Sequence, residues 1–176
     1  RDYKVTGVQT CALPICIYGI LATQGDFIMR ARLRDLGISI GQLPTGRYNA
    51  ITDVPGVSVG HSTVIYDDPR VSRTGVTIIH PRPEPVWRNN CFAGFHSFNG
   101  NGEMTGIAWM EESGTLISSI GITNTHQVGV VRDALVDYEA RHHPDAAWLL
   151  PVVAETYDGW LNDINGFHLT HDHVFA

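Results

Sequence analysis

The apolar and polar positions of this chain change their period along its length, and the changes predict strands first and a long helix later. Val57–His61 alternates apolar and polar residues as a half-buried strand does, and Thr74–His80 is a second, more apolar strand ended by Pro81. Over Val128–Tyr138 the apolar residues recur at helical spacing, and Pro144 stops the helix.

Seven glycines punctuate the segment Gly94–Gly129. Short apolar runs lie between them, at Ile107–Met110, Leu116–Ile117 and Ile120–Ile122. We interpret these runs as parts of a sheet with tight corners, because a flexible linker would be less apolar between its glycines.

The sequence also contains capping residues before the predicted helix, and a further strand and a short helix after it. Asn124 or Thr125 is expected to cap the helix, and Gln127 lies three residues beyond Asn124 as in a capping box. Trp148–Ala154 is interpreted as a buried strand in which Pro151 indicates a bulge or a sheet edge, and Thr170 could cap a last helix. The mixed order of strands and helices favours a layered α/β or α+β domain.

Composition narrows the class of protein. The 176 residues are 43% hydrophobic and 17% charged, which is enough for one domain with a core. The formal net charge of −6 argues against a nucleic-acid or anionic-membrane partner, because either would require a basic face.

The N-terminal segment is expected to differ in origin from the rest of the chain. Arg1–Cys16 resembles the translation of a sequencing adapter, and Met29 is the expected natural start. We therefore predict a non-native leader at 1–28 and a partial domain at 29–176. With that start, no export signal or membrane span is expected, and Cys91 is the single remaining cysteine, so a reducing, cytoplasmic location is expected.

The densest candidate for chemistry is the segment Phe98–Gly106. Its two Asn-Gly steps permit positive φ, so the backbone can bend sharply and present N–H groups or a side chain. Glu103 behind them could bind a substrate ammonium, or act as a general base if burial raised its pKa. The alternative is a hairpin turn with a solvated glutamate.

Two further segments carry polar groups. Glu111–Gly114 joins two carboxylates to a serine, but in a strand at most one of those carboxylates could share a pocket with Ser113. A polar turn is the alternative there. Thr123–His126 ends a strand and opens a helix, a kind of junction that often binds anions or oxyanions. Capping of the helix is the alternative, and the two roles are compatible.

The C-terminal histidines suggest a metal site only weakly. On a helix His171 and His173 point in different directions, so only two of the three, His168 among them, could serve one ion. No further ligand is indicated, and the alternative is a solvated helical turn. The sequence has no G-x-S-x-G or S-x-x-K motif, and the residues alone show no nucleophile.

From Arg34 to Ala176 the chain resembles the DmpA-type self-cleaving serine aminopeptidases, a family of L-aminopeptidase/D-esterases and β-peptidyl aminopeptidases. The motifs that carry the resemblance are Asn49–Gly60, Arg73–Thr77, Asn99–Gly106, Glu112–Gly114, Thr123–Val131, Pro151–Gly159 and Asn162–Gly166. Because they occur in the family's order, chance resemblance is not expected.

The resemblance implies a precursor that cuts its own backbone before a serine, giving α and β subunits. The new N-terminal serine of β then attacks small peptides or amino-acid amides and esters, without a metal or organic cofactor. It also implies a layered αββα sandwich similar to N-terminal-nucleophile hydrolases and ornithine acetyltransferases, incomplete in this chain, and a homo-oligomer.

Carried onto this sequence, the resemblance implies Glu103 as the carboxylate that holds the substrate ammonium. Asn101 and Asn124 are further candidates for lining the site. No catalytic residue is expected in this chain, because the nucleophilic serine and the β-subunit lie beyond Ala176, so the fragment alone is expected to be inert. Two alternatives are an acyltransferase of the ornithine acetyltransferase type and a non-catalytic metal-binding module. The substrate's stereochemistry stays open.

Overall fold

The computed structural model describes residues 31–176, so the predicted leader 1–28 and the start at Met29 lie outside the described residues. The strands are β1 (Ser58–Tyr66), β2 (Ser72–His80), β3 (Cys91–Phe92), β4 (Thr115–Leu116), β5 (Ile120–Asn124) and β6 (Val152–Thr156). The helices are α1 (Ile107–Ser113), α2 (Val128–His142) and α3 (His171–Phe175). Within residues 31–176, none of the helices combines the length and the apolar character that crossing a bilayer requires.

The main sheet has four strands in the order β1-β2-β5-β6, and β3 pairs with β4 in a separate ribbon. β1, β2 and β5 are antiparallel neighbours, whereas β5 and β6 run parallel because α2 connects them as a crossover. In the parallel pair Thr123 lies opposite Glu155 and Asn124 opposite Thr156. The residues that follow β5 and β6 therefore meet at one edge of the sheet.

Apolar side chains fill both faces of this sheet. On one face α2 and α3 close a core made of Val64, Val76, Ile78, Val128, Val131, Leu135, Val153 and Leu169. On the other face a smaller cluster joins Val86, Met110, Leu116 and Val152. Val152 and Val153 enter different clusters because successive side chains of a strand point to opposite faces. The predicted layered α/β architecture is confirmed.

One glycine of β5 lets α2 approach the sheet closely. A Cβ added at Gly121 would lie 2.8 Å from Val131 Cγ1 and 3.3 Å from Val153 Cγ2. Both valines are fully buried, so neither can move without disturbing the core. We expect Gly121→Ala to lower the free energy of unfolding by about 1–3 kcal/mol through overpacking.

Urea unfolding of the complete protein measures this effect, with Gly129→Ala as the matched control. Gly129 lies on α2 with nothing within 4 Å of an added Cβ. There alanine should be neutral or stabilising by up to about 1 kcal/mol, because it favours the helix. Equal unfolding midpoints for Gly121→Ala and the parent protein would contradict the close approach of α2.

The run Ile107–Met110, which was predicted to belong to a sheet, is helical, so that prediction is wrong. Gly106 and Gly114, both at positive φ, bracket α1, and Met110 is its buried residue. Short apolar runs do not distinguish a strand from a buried helix, and here the helix is favoured by the good helix formers that follow. Glu111 and Glu112 therefore lie on an exposed helical turn and not on opposite faces of a strand.

The predicted strands β1 and β2 and the helix α2 are confirmed. Of the two predicted caps, Asn124 acts and Thr125 does not, and Asn124 caps the 3₁₀ turn Thr125–Gln127 that leads into α2. Two details differ. The Oδ1 of Asn124 accepts a hydrogen bond from His126 N at 3.1 Å, whereas Gln127 forms no capping box. Instead Gln127 Oε1 accepts from Leu169 N at 2.7 Å, which fastens the chain before α3 to the start of α2. The last strand begins at Val152 and not at Trp148, with Pro151 just before it.

Candidate functional site

The segment that contains Glu103 is attached to the free edge of β6. Thr105 N donates to Val153 O at 3.0 Å, and Glu155 N donates to Glu103 O at 3.1 Å. The hydroxyl of Thr105 also accepts a hydrogen bond from Val153 N at 2.9 Å. These bonds extend the sheet by a short antiparallel piece, so the backbone of Glu103 has a defined position beside Glu155.

Glycine and asparagine shape the loop on either side of this attachment. Gly106 has φ +76°, and a Cβ there would lie 2.9 Å from Val152 Cγ2 and 3.3 Å from Leu150 O. The positive φ permitted by the sequence is thus used at Gly106 and not at the two Asn-Gly steps. Within these steps the Oδ1 of Asn99 accepts a hydrogen bond from Asn101 N at 2.8 Å, which fixes the turn that leads to Glu103.

The loop, the end of β6 and the turn between β5 and α2 border a cavity of about 530 Å³ that is open to solvent. It is lined by Asn101, Gly102, Glu103, Thr125, Glu155 and Tyr157. Two carboxylates line it, and its lining residues include no lysine, arginine or histidine. An uncompensated pair of carboxylates gives a cavity a negative potential that attracts a cation. The chemistry of the site therefore favours a ligand with a positively charged group.

Two of the three predicted site residues come together in this cavity. Asn101 and Glu103 both line it, and Glu103 is exposed to solvent. Asn124 does not line it: the residue is only 2% exposed, and its Nδ2 donates to Thr74 Oγ1 at 2.9 Å. Its following neighbour Thr125 lines the cavity instead.

Four lining residues were not among the predicted site residues, namely Gly102, Thr125, Glu155 and Tyr157. The sequence does contain a signal for Glu155 and Tyr157, because they directly follow the apolar part of β6. Polar groups at the carboxyl ends of neighbouring parallel strands gather at one sheet edge, where ligands commonly bind. These residues can be assigned to the site only when it is known that β5 and β6 are parallel neighbours connected by α2.

Among the serines of residues 31–176, Ser119 is the one that hydrogen-bonds a histidine. Ser119 Oγ lies 2.6 Å from His80 Nδ1, and burial lowers the pKa of His80, with a partly opposing effect of the Glu139 carboxylate. However, Ser119 is only 3% exposed, and none of the carboxylates in this part of the chain hydrogen-bonds His80. The pair therefore lacks the orienting acid of a catalytic triad.

The C-terminal histidines do not form a metal site in the described part of the chain. His168 is 8% exposed, and its Nε2 donates to Asp163 O at 2.9 Å while its Nδ1 bonds the hydroxyl of Tyr66. Both ring nitrogens are thus occupied by protein groups. Across residues 31–176 no three histidine, cysteine, aspartate or glutamate side chains are grouped so that they could hold a metal ion.

Comparison with known sequences identifies related proteins. The profile of peptidase family S58 matches residues 49–176. A β-peptidyl aminopeptidase of Sphingosinicella microcystinivorans is 46% identical over 167 residues, which are 92% of this chain and 42% of that protein. A β-peptidyl aminopeptidase of Sphingosinicella xenopeptidilytica is 44% identical and is covered to 43% of its length. The chain thus spans less than half the length of these relatives.

Solved structures share the fold as well. A β-aminopeptidase of Burkholderia sp. superposes with a TM-score of 0.78 at 52% identity, over 82% of this chain and 42% of that chain. The L-aminopeptidase D-Ala-esterase/amidase of Ochrobactrum anthropi, described as a prototype of the serine aminopeptidases and a variant of the Ntn hydrolase fold, superposes with a TM-score of 0.73 at 44% identity. It is covered over 42% of its length, and this chain over 82%.

Proposed function

The chain belongs to peptidase family S58, and on that premise we propose that the whole protein is a serine aminopeptidase. It releases N-terminal residues from small peptides, amides or esters. The relatives' names include β-peptidyl aminopeptidases and an L-aminopeptidase, so both β- and L-α-amino acid amides belong to the proposed substrate class. The family match favours hydrolysis over the acyl transfer that was the alternative.

The observation that carries this proposal is the cavity bordered by Glu103. An aminopeptidase must recognise the free ammonium of its substrate, and a carboxylate is the side chain that does so with charge and hydrogen bonds together. Glu103 is held beside β6, next to Asn101 and with no basic residue lining the same cavity. We therefore assign to Glu103 the binding of the substrate ammonium.

The attacking group is proposed to lie outside these residues. Ser118 and Ser119 are buried, and Ser113 Oγ hydrogen-bonds Thr115 Oγ1 at 2.9 Å. We propose that the precursor cuts itself before a serine beyond residue 176, and that this serine attacks the substrate carbonyl. A serine at a chain start has its own amine beside the hydroxyl, which can serve as base or hydrogen-bond partner.

The proposed partners are the protein's own β-subunit and further copies of the protein. Several large apolar side chains of residues 31–176 are strongly exposed, namely Phe92, Phe98, Trp160 and Leu161. Exposed apolar groups of this size are typical of surfaces that another polypeptide covers. Cys91 forms no disulfide within the described residues, and we propose a cytoplasmic location on that ground.

Expression of the complete reading frame tests the proposal. We expect two polypeptides on a denaturing gel and hydrolysis of β-alanyl- or L-alanyl-p-nitroanilide, with no hydrolysis of the N-acetylated substrate. The acetylated compound is the control, because it lacks only the charged amine. A single uncut polypeptide that hydrolyses neither free-amine substrate would contradict the proposed function.

A further inference from the structure

We propose that Thr105 is a positioning residue of the substrate site, because its hydroxyl holds the loop that carries Asn101 and Glu103 against β6. This inference rests on the proposed aminopeptidase function and adds a residue to it. The residues that line the cavity do not include Thr105. Its effect on substrate binding is therefore exerted through the position of the loop.

The hydroxyl of Thr105 forms two hydrogen bonds to the backbone at the start of β6. Its Oγ1 donates to Pro151 O at 2.6 Å and accepts from Val153 N at 2.9 Å, while Thr105 N donates to Val153 O at 3.0 Å. In a regular antiparallel pair, two opposite residues exchange both backbone bonds. Here the hydroxyl replaces one carbonyl. The chain can thus leave the sheet directly afterwards, at Gly106 with φ +76°, and begin α1.

The loop depends on these bonds for its attachment. Residues 96–103 are exposed. Besides the bonds of Thr105, one hydrogen bond joins the loop to β6 in the described part of the chain, from Glu155 N to Glu103 O at 3.1 Å. An exposed segment with few hydrogen bonds opens at a small cost in free energy. Thr105 therefore determines how much of the time Asn101 and Glu103 line the cavity.

Two substitutions at Thr105 separate the hydroxyl from the rest of the side chain. Thr105→Val keeps the size of the side chain but leaves Val153 N and Pro151 O without this partner. Both of these residues are fully buried, so unpaired backbone groups are costly there. Thr105→Ser keeps the hydroxyl and loses only a methyl group. We expect valine to release the loop and serine to retain it.

The test compares KM and kcat for β-alanyl-p-nitroanilide in the complete, processed protein. Thr105→Val should raise KM about tenfold with a smaller change of kcat, because the released loop must become ordered when the substrate binds. Thr105→Ser should keep KM within about twofold of the parent's value. Hydrolysis of propionyl-p-nitroanilide should be unchanged in both variants, because that compound lacks the amine that the loop binds.

Ser72→Ala is the matched control for a loss of stability alone. Ser72 Oγ donates to Val64 O at 3.1 Å, and Ser72 is completely buried and does not line the cavity. Its replacement should lower the urea unfolding midpoint, as Thr105→Val does, but leave KM unchanged. If Ser72→Ala raised KM as much as Thr105→Val, or if Thr105→Val slowed hydrolysis of both anilides by the same factor, the positioning role would be overturned.

The remaining outcomes separate this inference from the proposed function. If the parent protein hydrolyses the free-amine substrate, but Thr105→Val keeps the parent's KM or Thr105→Ser raises KM equally, only the role of Thr105 is overturned. If the parent protein hydrolyses no free-amine substrate, the proposed function fails and this inference fails with it. Should Thr105→Val not fold, as judged by circular dichroism, hydrogen–deuterium exchange of the parent protein decides. The Val153 amide should then exchange far more slowly than the Gly102 amide, and equal rates would overturn the proposal.

Discussion

Replacing Glu103 by glutamine in the complete protein is expected to lower kcat/KM for β-alanyl-p-nitroanilide by about 10- to 100-fold. The change keeps the size of the side chain and removes its charge, so the ammonium loses its ion pair and keeps only a neutral hydrogen bond. Because Glu103 is exposed to solvent, salt screens part of this interaction. The loss should therefore be larger at low than at high ionic strength.

Two controls show whether the loss belongs to amine recognition. Asp133→Asn removes a carboxylate from the exposed face of α2 and should leave kcat/KM unchanged. Hydrolysis of propionyl-p-nitroanilide, which lacks the amine, should be equally slow in the parent protein and in Glu103→Gln. If Glu103→Gln keeps the parent's preference for the free-amine substrate, Glu103 does not bind the ammonium.

Replacing Gly75 by alanine is the second change with a large expected effect, and it acts on stability. A Cβ at Gly75 would lie 2.4 Å from the carbonyl oxygen of Ser62 and 3.3 Å from Thr63 Cα, in the neighbouring strand β1. Backbone atoms inside a paired hairpin cannot shift as a side-chain tip can, so β1 and β2 would have to separate locally. We expect a loss of about 3 kcal/mol, at the upper end of overpacking effects.

Urea denaturation of the complete protein measures this loss as a lower unfolding midpoint. Gly60→Ala is the matched control, since Gly60 lies in β1 of the same hairpin and a Cβ there meets nothing within 4 Å. An unfolding midpoint for Gly75→Ala that equals that of Gly60→Ala would contradict the close approach of β1 and β2.

Much of the fold was predictable because the apolar residues of the sequence recur with the same period as the positions that the folded strands and helix bury. β2 has alternate residues buried from Ser72 to Ile78, and α2 buries one helical face, so both periods are visible in the sequence. α1 was missed because it is a single short helix between glycines, where four apolar residues fit either period. Gln127 was misassigned because a distant residue, Leu169, competes for its side chain.

Site residues that belong to one segment of the sequence were predictable, whereas site residues that only the tertiary structure brings to the cavity were not. Asn101 and Glu103 belong to one glycine-rich loop, and the structure brings both to the cavity. Glu155 lies in β6 and Tyr157 directly after it, about fifty residues later in the chain. Only the parallel pairing of β5 with β6 and the attachment of the loop to β6 bring them to the same place. The attachment of the loop to β6 has no signature in composition or spacing.

In the proposed enzyme, residues 31–176 bind the substrate amine and a serine beyond them attacks the carbonyl. The most direct test is to label the complete, processed protein with phenylmethylsulfonyl fluoride and locate the modified serine by peptide mass spectrometry. We predict the label on the N-terminal serine of the second polypeptide, beyond residue 176, together with loss of activity. Inactivation by a label on Ser113, Ser119 or another serine of residues 31–176 would contradict the claim.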